Sequence, residues 1–90
     1  MAVAERTVRI VNPLGLHARP AAAFVMIAGR FASHVTVRKD DFEVNGKSIM
    51  GMMTLAAECG STLHLRAEGD DAEALVEELV LLVQRGFGEK

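Results

Sequence analysis

Few residues in this chain combine reactive side chains with neighbours suited to covalent chemistry. The most suggestive is His17, in the run Gly15-Leu16-His17-Ala18-Arg19-Pro20-Ala21. It follows a glycine-containing loop and precedes an alanine-rich segment with helical spacing. The first backbone N–H groups of a helix have no intrahelical partner, and with the helix dipole they favour an anion and oppose a cation. A histidine there is expected to be neutral and nucleophilic. If its ring takes up a phosphoryl group, the same N–H groups and the Arg19 guanidinium can hold the phosphate oxygens. Phosphoryl transfer depends mainly on alignment and on stabilising charge on the equatorial oxygens, so a histidine, an arginine and a helix end suffice. On these residues alone, the competing reading is a helix cap or a surface histidine.

Other polar residues carry weaker signals. Ser48 follows the Asn45-Gly46 turn and precedes a short apolar segment, as an N-capping serine does. His34 and His64 lack Cys, Asp or a second His at metal-ligand spacing, so neither they nor any other group is read as a metal site. Cys59 precedes Gly60 and has no base close in sequence to activate it, so it reads as a turn residue.

The elements that must position His17 follow from hydrophobic periodicity. Thr7 to Val11 alternates, with Val8 and Ile10 on one face and Arg9 on the other, and Asn12-Pro13-Leu14-Gly15 breaks the strand. Ala18 to about Ala28 places Ala21, Phe24, Val25 and Ala28 on one helix face, with Gly29 as the stop. His34 to Lys39 and Phe42 to Val44 read as a hairpin, with Val35 and Val37 inward. Ser48 then opens a helix of about two turns toward Leu55. In Thr62 to Ala67, Leu63, Leu65 and Ala67 alternate with His64 and Arg66. Asp70 and Glu73 have the spacing of an acidic capping box for a last helix, whose stripe is Leu75, Leu79, Leu82 and Val83 and whose C-terminal glycine is Gly86. The order is βαββαβα.

Ninety residues make a single domain, 1–90, and there is no repeat or linker. Half the residues are apolar, yet four are Phe and none is Trp or Tyr, so Ala, Val, Leu, Ile and Met must build the core. The longest apolar run, Pro20 to Ala28, is far short of the roughly 20 residues that span a bilayer. A lone cysteine and no recognisable leader favour a reducing cytoplasm. The net charge of -2 hides an asymmetry. Residues up to Lys39 carry six bases and one acid, whereas those from Asp40 onward carry four bases and eleven acids. If the basic half forms one face, that face would attract anionic ligands or acidic partners.

The run around His17 resembles the phosphorylation-site signature of the HPr family, the histidine-containing phosphocarriers of bacterial phosphoenolpyruvate-dependent phosphotransferase systems. Lys47-Ser48-Ile49-Met50-Gly51-Met52-Met53-Thr54-Leu55 resembles that family's regulatory-serine motif, in the expected order and spacing. The resemblance covers essentially the whole chain. It implies an α+β fold, an open-faced β-sandwich with a four-stranded antiparallel sheet covered on one face by three helices. It also implies that His17 accepts a phosphoryl group at Nδ1, that Arg19 contacts that group and partners, and that Ser48 is the regulatory serine. Implied partners are enzyme I and the A units of enzyme II, with an HPr kinase/phosphorylase as a further candidate. The implied protein is a monomeric carrier with no cofactor, a covalent phosphohistidine, and a place in sugar uptake and its regulation. On the first helix, positions that often carry lysine in the family hold Met26 and Gly29, leaving Arg30 as the only other base.

Ile49, Met50 and Met53 are read as a partly exposed patch for partners, because a helix this short cannot bury every face and methionine surfaces adapt to several partners. The alternative packs all three inward with Met52 and Leu55. Within the family, the nitrogen-branch carrier shares the chemistry, whereas a catabolite-repression paralogue without the histidine is disfavoured by His17. An RNA-binding βαββαβ domain would stack bases on strand aromatics, and the strands offer only Phe42 in an acidic chain. A ligand-sensing α+β domain would bind a small molecule without covalent phosphorylation.

Overall fold

A computed structural model describes residues 2–89. The strands are β1 (Val3–Arg9), β2 (His34–Lys39), β3 (Phe42–Asn45) and β4 (Thr62–Glu68). The helices are α1 (Ala18–Ala28), α2 (Ile49–Leu55) and α3 (Ala72–Gln84), and a 3-10 turn follows at Gly86–Gly88. All neighbouring strands run antiparallel in the order β1-β4-β2-β3, so the chain forms the expected open sheet with three helices.

Because strand side chains alternate between faces, the register decides what is buried. Ala4 lies opposite Ala67 and Val8 opposite Leu63, while Val35 and Val37 lie opposite Ala67 and Leu65. All seven are buried beneath the helices. The intervening residues, including Glu5, Thr7, Arg9, His34, Arg38 and Arg66, are exposed on the open face. From above, α3 contributes Leu75, Val76, Leu79, Leu82 and Val83, α1 contributes Phe24 with Ala21 and Ala28, and α2 contributes Met52 and Leu55. Small alanines let α1 lie close, as a core with so few aromatics requires.

Three details differ from the periodicity. β1 starts at Val3, four residues before the expected strand, and ends at Arg9. Its early inward positions are held by Ala4 and Arg6, which do not read as apolar alternation. Ile10 is buried past the strand, with its N–H donating to the Ser61 carbonyl at 2.9 Å. Second, the acidic capping box does not form. Asp71, not Asp70, stands at the N-cap of α3, and its side chain does not cap that helix: the carboxylate accepts the N–H groups of Ala32 and Ser33, each at 2.9 Å, and the Ser33 hydroxyl. It ties down the loop leaving α1, while Glu73 accepts from Arg6 at 2.8 Å. Third, Val25 is only half-buried, and Pro20 takes its place on the buried face of α1.

The basic half of the sequence does not make one face. Arg6 falls in the inward row at the sheet edge, where it bonds Glu73 and Glu77 of α3, whereas Arg9 and Arg38 belong to the outward row.

Candidate functional site

His17 stands where the loop from β1 enters α1. Gly15 has φ of +69°, and a Cβ there would lie 2.5 Å from the Ala57 carbonyl oxygen and 3.0 Å from the Glu58 Cα. Glycine therefore meets both demands of this position, a left-handed backbone and close approach to the segment after α2. The Leu16 N–H donates to the Ala57 carbonyl at 2.9 Å, and the Leu16 side chain is buried. Anchored in this way, the loop delivers His17 to the N-cap of α1 in an extended conformation.

The His17 side chain does not cap the helix. Its main-chain carbonyl accepts the Ala21 N–H at 3.0 Å, the first N–H of α1 to find a partner within the helix. The amides of Ala18 and Arg19 precede that bond, and Pro20 has no N–H to waste. The helix thus presents two donors and its positive dipole end beside the imidazole. This is the anion-binding geometry the sequence suggested, with the ring free for other contacts.

The ring uses that freedom to meet Glu89. Nε2 lies 2.8 Å from one carboxylate oxygen of Glu89 and 3.1 Å from the other. Between two acceptors of an anion, Nε2 must carry the hydrogen and donate it, so in the neutral ring the lone pair is on Nδ1. Glu89 is held from its other side by Asn12, whose Nδ2 donates to Glu89 Oε1 at 2.9 Å and to the Gly15 carbonyl at 2.8 Å. The Glu89 carboxyl is accordingly held below its ordinary pKa, first by the hydrogen bond from His17, then by that from Asn12 and by the nearby His17 and Arg19, against the opposing effect of partial burial. Pro13, Leu14, Arg19, Phe87, Gly88 and Glu89 line an open cleft of about 420 Å³. Arg19 is exposed there, within reach of an anion in the cleft but not committed to a described partner.

Asn12 and Glu89 were not singled out by sequence reasoning. Asn12 read only as part of a turn, and Glu89 arrives through Gly86, Phe87 and Gly88, whose positive φ values turn the chain back beyond α3. The usable signals were the expected glycine at 86 and an asparagine just ahead of the histidine loop.

Ser48 caps α2 as expected, its hydroxyl accepting the Gly51 N–H at 3.0 Å. Ile49, Met50 and Met53 are exposed, Met50 by 71%, while Met52 and Leu55 are buried. The structure thus places the patch on the surface of α2, which packs against α1. Met26 of α1 is also exposed, by 67%. His34 and Cys59 are exposed, and His64 is half-buried in the outward row of β4.

The class that these features define is an open-faced α+β sandwich with a histidine and an arginine at an anion-competent helix end. A family model described as "PTS HPr component phosphorylation site" matches residues 4–85. Phosphocarrier protein HPr of Treponema pallidum is 47% identical over 85 residues, covering 94% of this chain and 97% of that protein. The crystal structure of HPr-C-His from Thermoanaerobacter tengcongensis superposes with a TM-score of 0.93 at 49% identity, covering 97% of this chain and 98% of that one. An HPr dimer from the same organism superposes with a TM-score of 0.77 at 50% identity, covering 91% and 94%. The chain belongs to the HPr family of phosphocarrier proteins of the phosphotransferase system.

Proposed function

We propose that this chain accepts a phosphoryl group from phosphorylated enzyme I on Nδ1 of His17 and passes it to an enzyme II A unit, in sugar uptake and its regulation. The observation that carries this reading is the pairing of Nε2 with Glu89 at the N-terminus of α1, which leaves Nδ1 as the nucleophile. In the step itself, the Nδ1 lone pair forms a bond to phosphorus as the bond from phosphorus to the donor breaks, and the electron pair leaves with the donor atom. Nε2 keeps its proton throughout. The positive charge that develops on the ring is offset by Glu89. Charge on the transferring oxygens is met by Arg19 and by the amides at the start of α1, preorganised donors that need no reorientation. Onward transfer reverses these events, so the chain is a carrier with a covalent intermediate and needs no cofactor or metal.

The remaining roles are part of the same proposal. Ile49, Met50 and Met53 form an apolar docking surface beside Ser48, and phosphorylation of Ser48 by an HPr kinase/phosphorylase would place a dianion within it. The carrier acts as a single domain, 1–90, monomeric and cytoplasmic. Among the described residues no helix is long and apolar enough to cross a membrane.

The test is incubation with phosphoenolpyruvate and enzyme I, followed by presentation to sugar-type and nitrogen-type acceptors. Acid-labile, base-stable label on the wild type, absent from His17→Ala and delivered to the sugar-type acceptor, is the expected result. Full labelling of His17→Ala would overturn the assignment of the acceptor residue, and delivery only to the nitrogen-type acceptor would move the carrier to the regulatory branch.

A further inference from the structure

Asn12 is 2% exposed, and its side chain is arranged in an unusual way. Both polar contacts of its amide nitrogen are accounted for, by the Gly15 carbonyl and by Glu89 Oε1. Its Oδ1 is buried and has no hydrogen-bond partner among the described residues. Rotating the amide by half a turn would not help, because Oδ1 would then face two acceptors. The orientation is therefore dictated by the two groups that need a donor, at the expense of an unpaired buried acceptor, and such an exception calls for a reason.

We infer that Asn12 is a positioning residue for phosphoryl transfer, a buried donor that holds the Glu89 carboxylate against Nε2 of His17 and so fixes which ring nitrogen is presented. This rests on the reading of His17 as the phosphoryl acceptor. The fold brings the three residues together from the loop after β1, the start of α1 and the chain beyond α3. Glu89 follows a turn containing two glycines, so without an anchor it would sample many positions. Asn12 supplies the anchor from the same loop that carries the histidine. Through its bond to the Gly15 carbonyl, it also keeps that loop and the carboxylate in one rigid unit. A hydrogen-bonded group behind a histidine commonly sets its tautomer and orientation, and a second group behind that one tightens the arrangement. A purely structural asparagine would need only the Gly15 bond.

The reaction with phosphoramidate, a small phosphoryl donor, tests this without any partner protein. Either ring nitrogen can attack its phosphorus, with ammonia as the leaving group, and 31P NMR distinguishes the two phosphohistidines. The wild type is expected to react at Nδ1. Both Asn12→Ala and Glu89→Ala should raise the share of Nε2 product at least tenfold, and the double variant should match Glu89→Ala, because one substitution already breaks the chain of contacts. Wild-type regiochemistry in a folded Asn12→Ala chain would overturn the inference, whatever the change in its Tm. Should Asn12→Ala fail to fold, Glu89→Ala carries the test through the Asn12 side-chain amide protons, one of which should then exchange faster with water. Unchanged exchange would also overturn it. Failure of the acceptor reading is separable, since it shows as enzyme I labelling of His17→Ala.

Discussion

Glu89 lies 72 positions after His17, yet both of its carboxylate oxygens are within 3.1 Å of Nε2. The contact occupies Nε2 and leaves Nδ1 as the ring nitrogen without that partner. It also puts a negative charge beside the histidine proposed to accept a phosphoryl group, and two cationic or donor-rich neighbours, Arg19 and the N-terminus of α1, balance it. This arrangement and its surroundings lead to four expected outcomes.

Arg19→Ala should slow phosphoryl transfer by about 10²-fold, the scale seen when one preorganised donor to a developing anionic charge is removed. Arg19 is exposed, so stability should change by no more than about 0.5 kcal/mol. Single-turnover transfer rates alongside urea denaturation check both halves. A full-speed Arg19→Ala carrier would remove this residue from the mechanism.

Ser48→Ala should cost about 1 kcal/mol, because the Gly51 N–H loses its acceptor at the start of α2. Ser48→Asp should keep the cap, since an anion suits that helix end. If the docking reading holds, the aspartate should still slow acceptance from enzyme I, because a charge beside Ile49 and Met50 must be desolvated on binding. Equal transfer rates for the two variants, with no labelling of wild type by an HPr kinase, would leave Ser48 as a structural cap.

Met50→Glu should weaken docking without unfolding the chain. At 71% exposure Met50 contributes little to the core, and stability should stay within about 0.5 kcal/mol of wild type. By contrast Met52 is fully buried, and Met52→Ala should cost about 2–5 kcal/mol. Enzyme I titrations and thermal melts on the pair would separate the surface from the core of α2.

Asp71 should make the fold sensitive to acid. Its carboxyl is held below its ordinary pKa, chiefly by the Ser33 hydroxyl and then by the Ala32 and Ser33 amides. A depressed folded pKa contributes stability that is complete above the unfolded value, near 4, and is lost as pH falls through the folded value. Asp71→Asn should therefore flatten the decline of unfolding free energy at the acid end. Urea denaturation across that range measures it, and parallel curves for the two chains would show that Asp71 is not responsible.

Much of this molecule was already legible in its residues. Alternation in Val35-Thr36-Val37 and Leu63-His64-Leu65 marks strands because strand side chains change face at every step, and the Leu75, Leu79, Leu82 and Val83 stripe marks α3 because helix faces repeat every three or four. His17, Arg19 and the Ser48 cap were visible because their signals are local: a loop, a helix start, and a side chain that bonds three residues ahead. What sequence alone could not settle lies in contacts between distant segments. The strand expected from Thr7 left Arg6 outside it, but in the inward row of β1 Arg6 meets Glu73 and Glu77 across the interface with α3. Asp70 and Glu73 had capping spacing, but the helix starts one residue later, with Asp71 at the N-cap, where its carboxylate is taken by the Ala32 and Ser33 amides while Arg6 takes that of Glu73. Glu89 and Asn12 carry no periodicity or motif that points to His17. Only when the turn after α3 folds back on the β1 loop do their side chains converge, so the contact that occupies Nε2 of His17 belongs to the tertiary structure, while the presence of a histidine at a helix end belongs to the sequence.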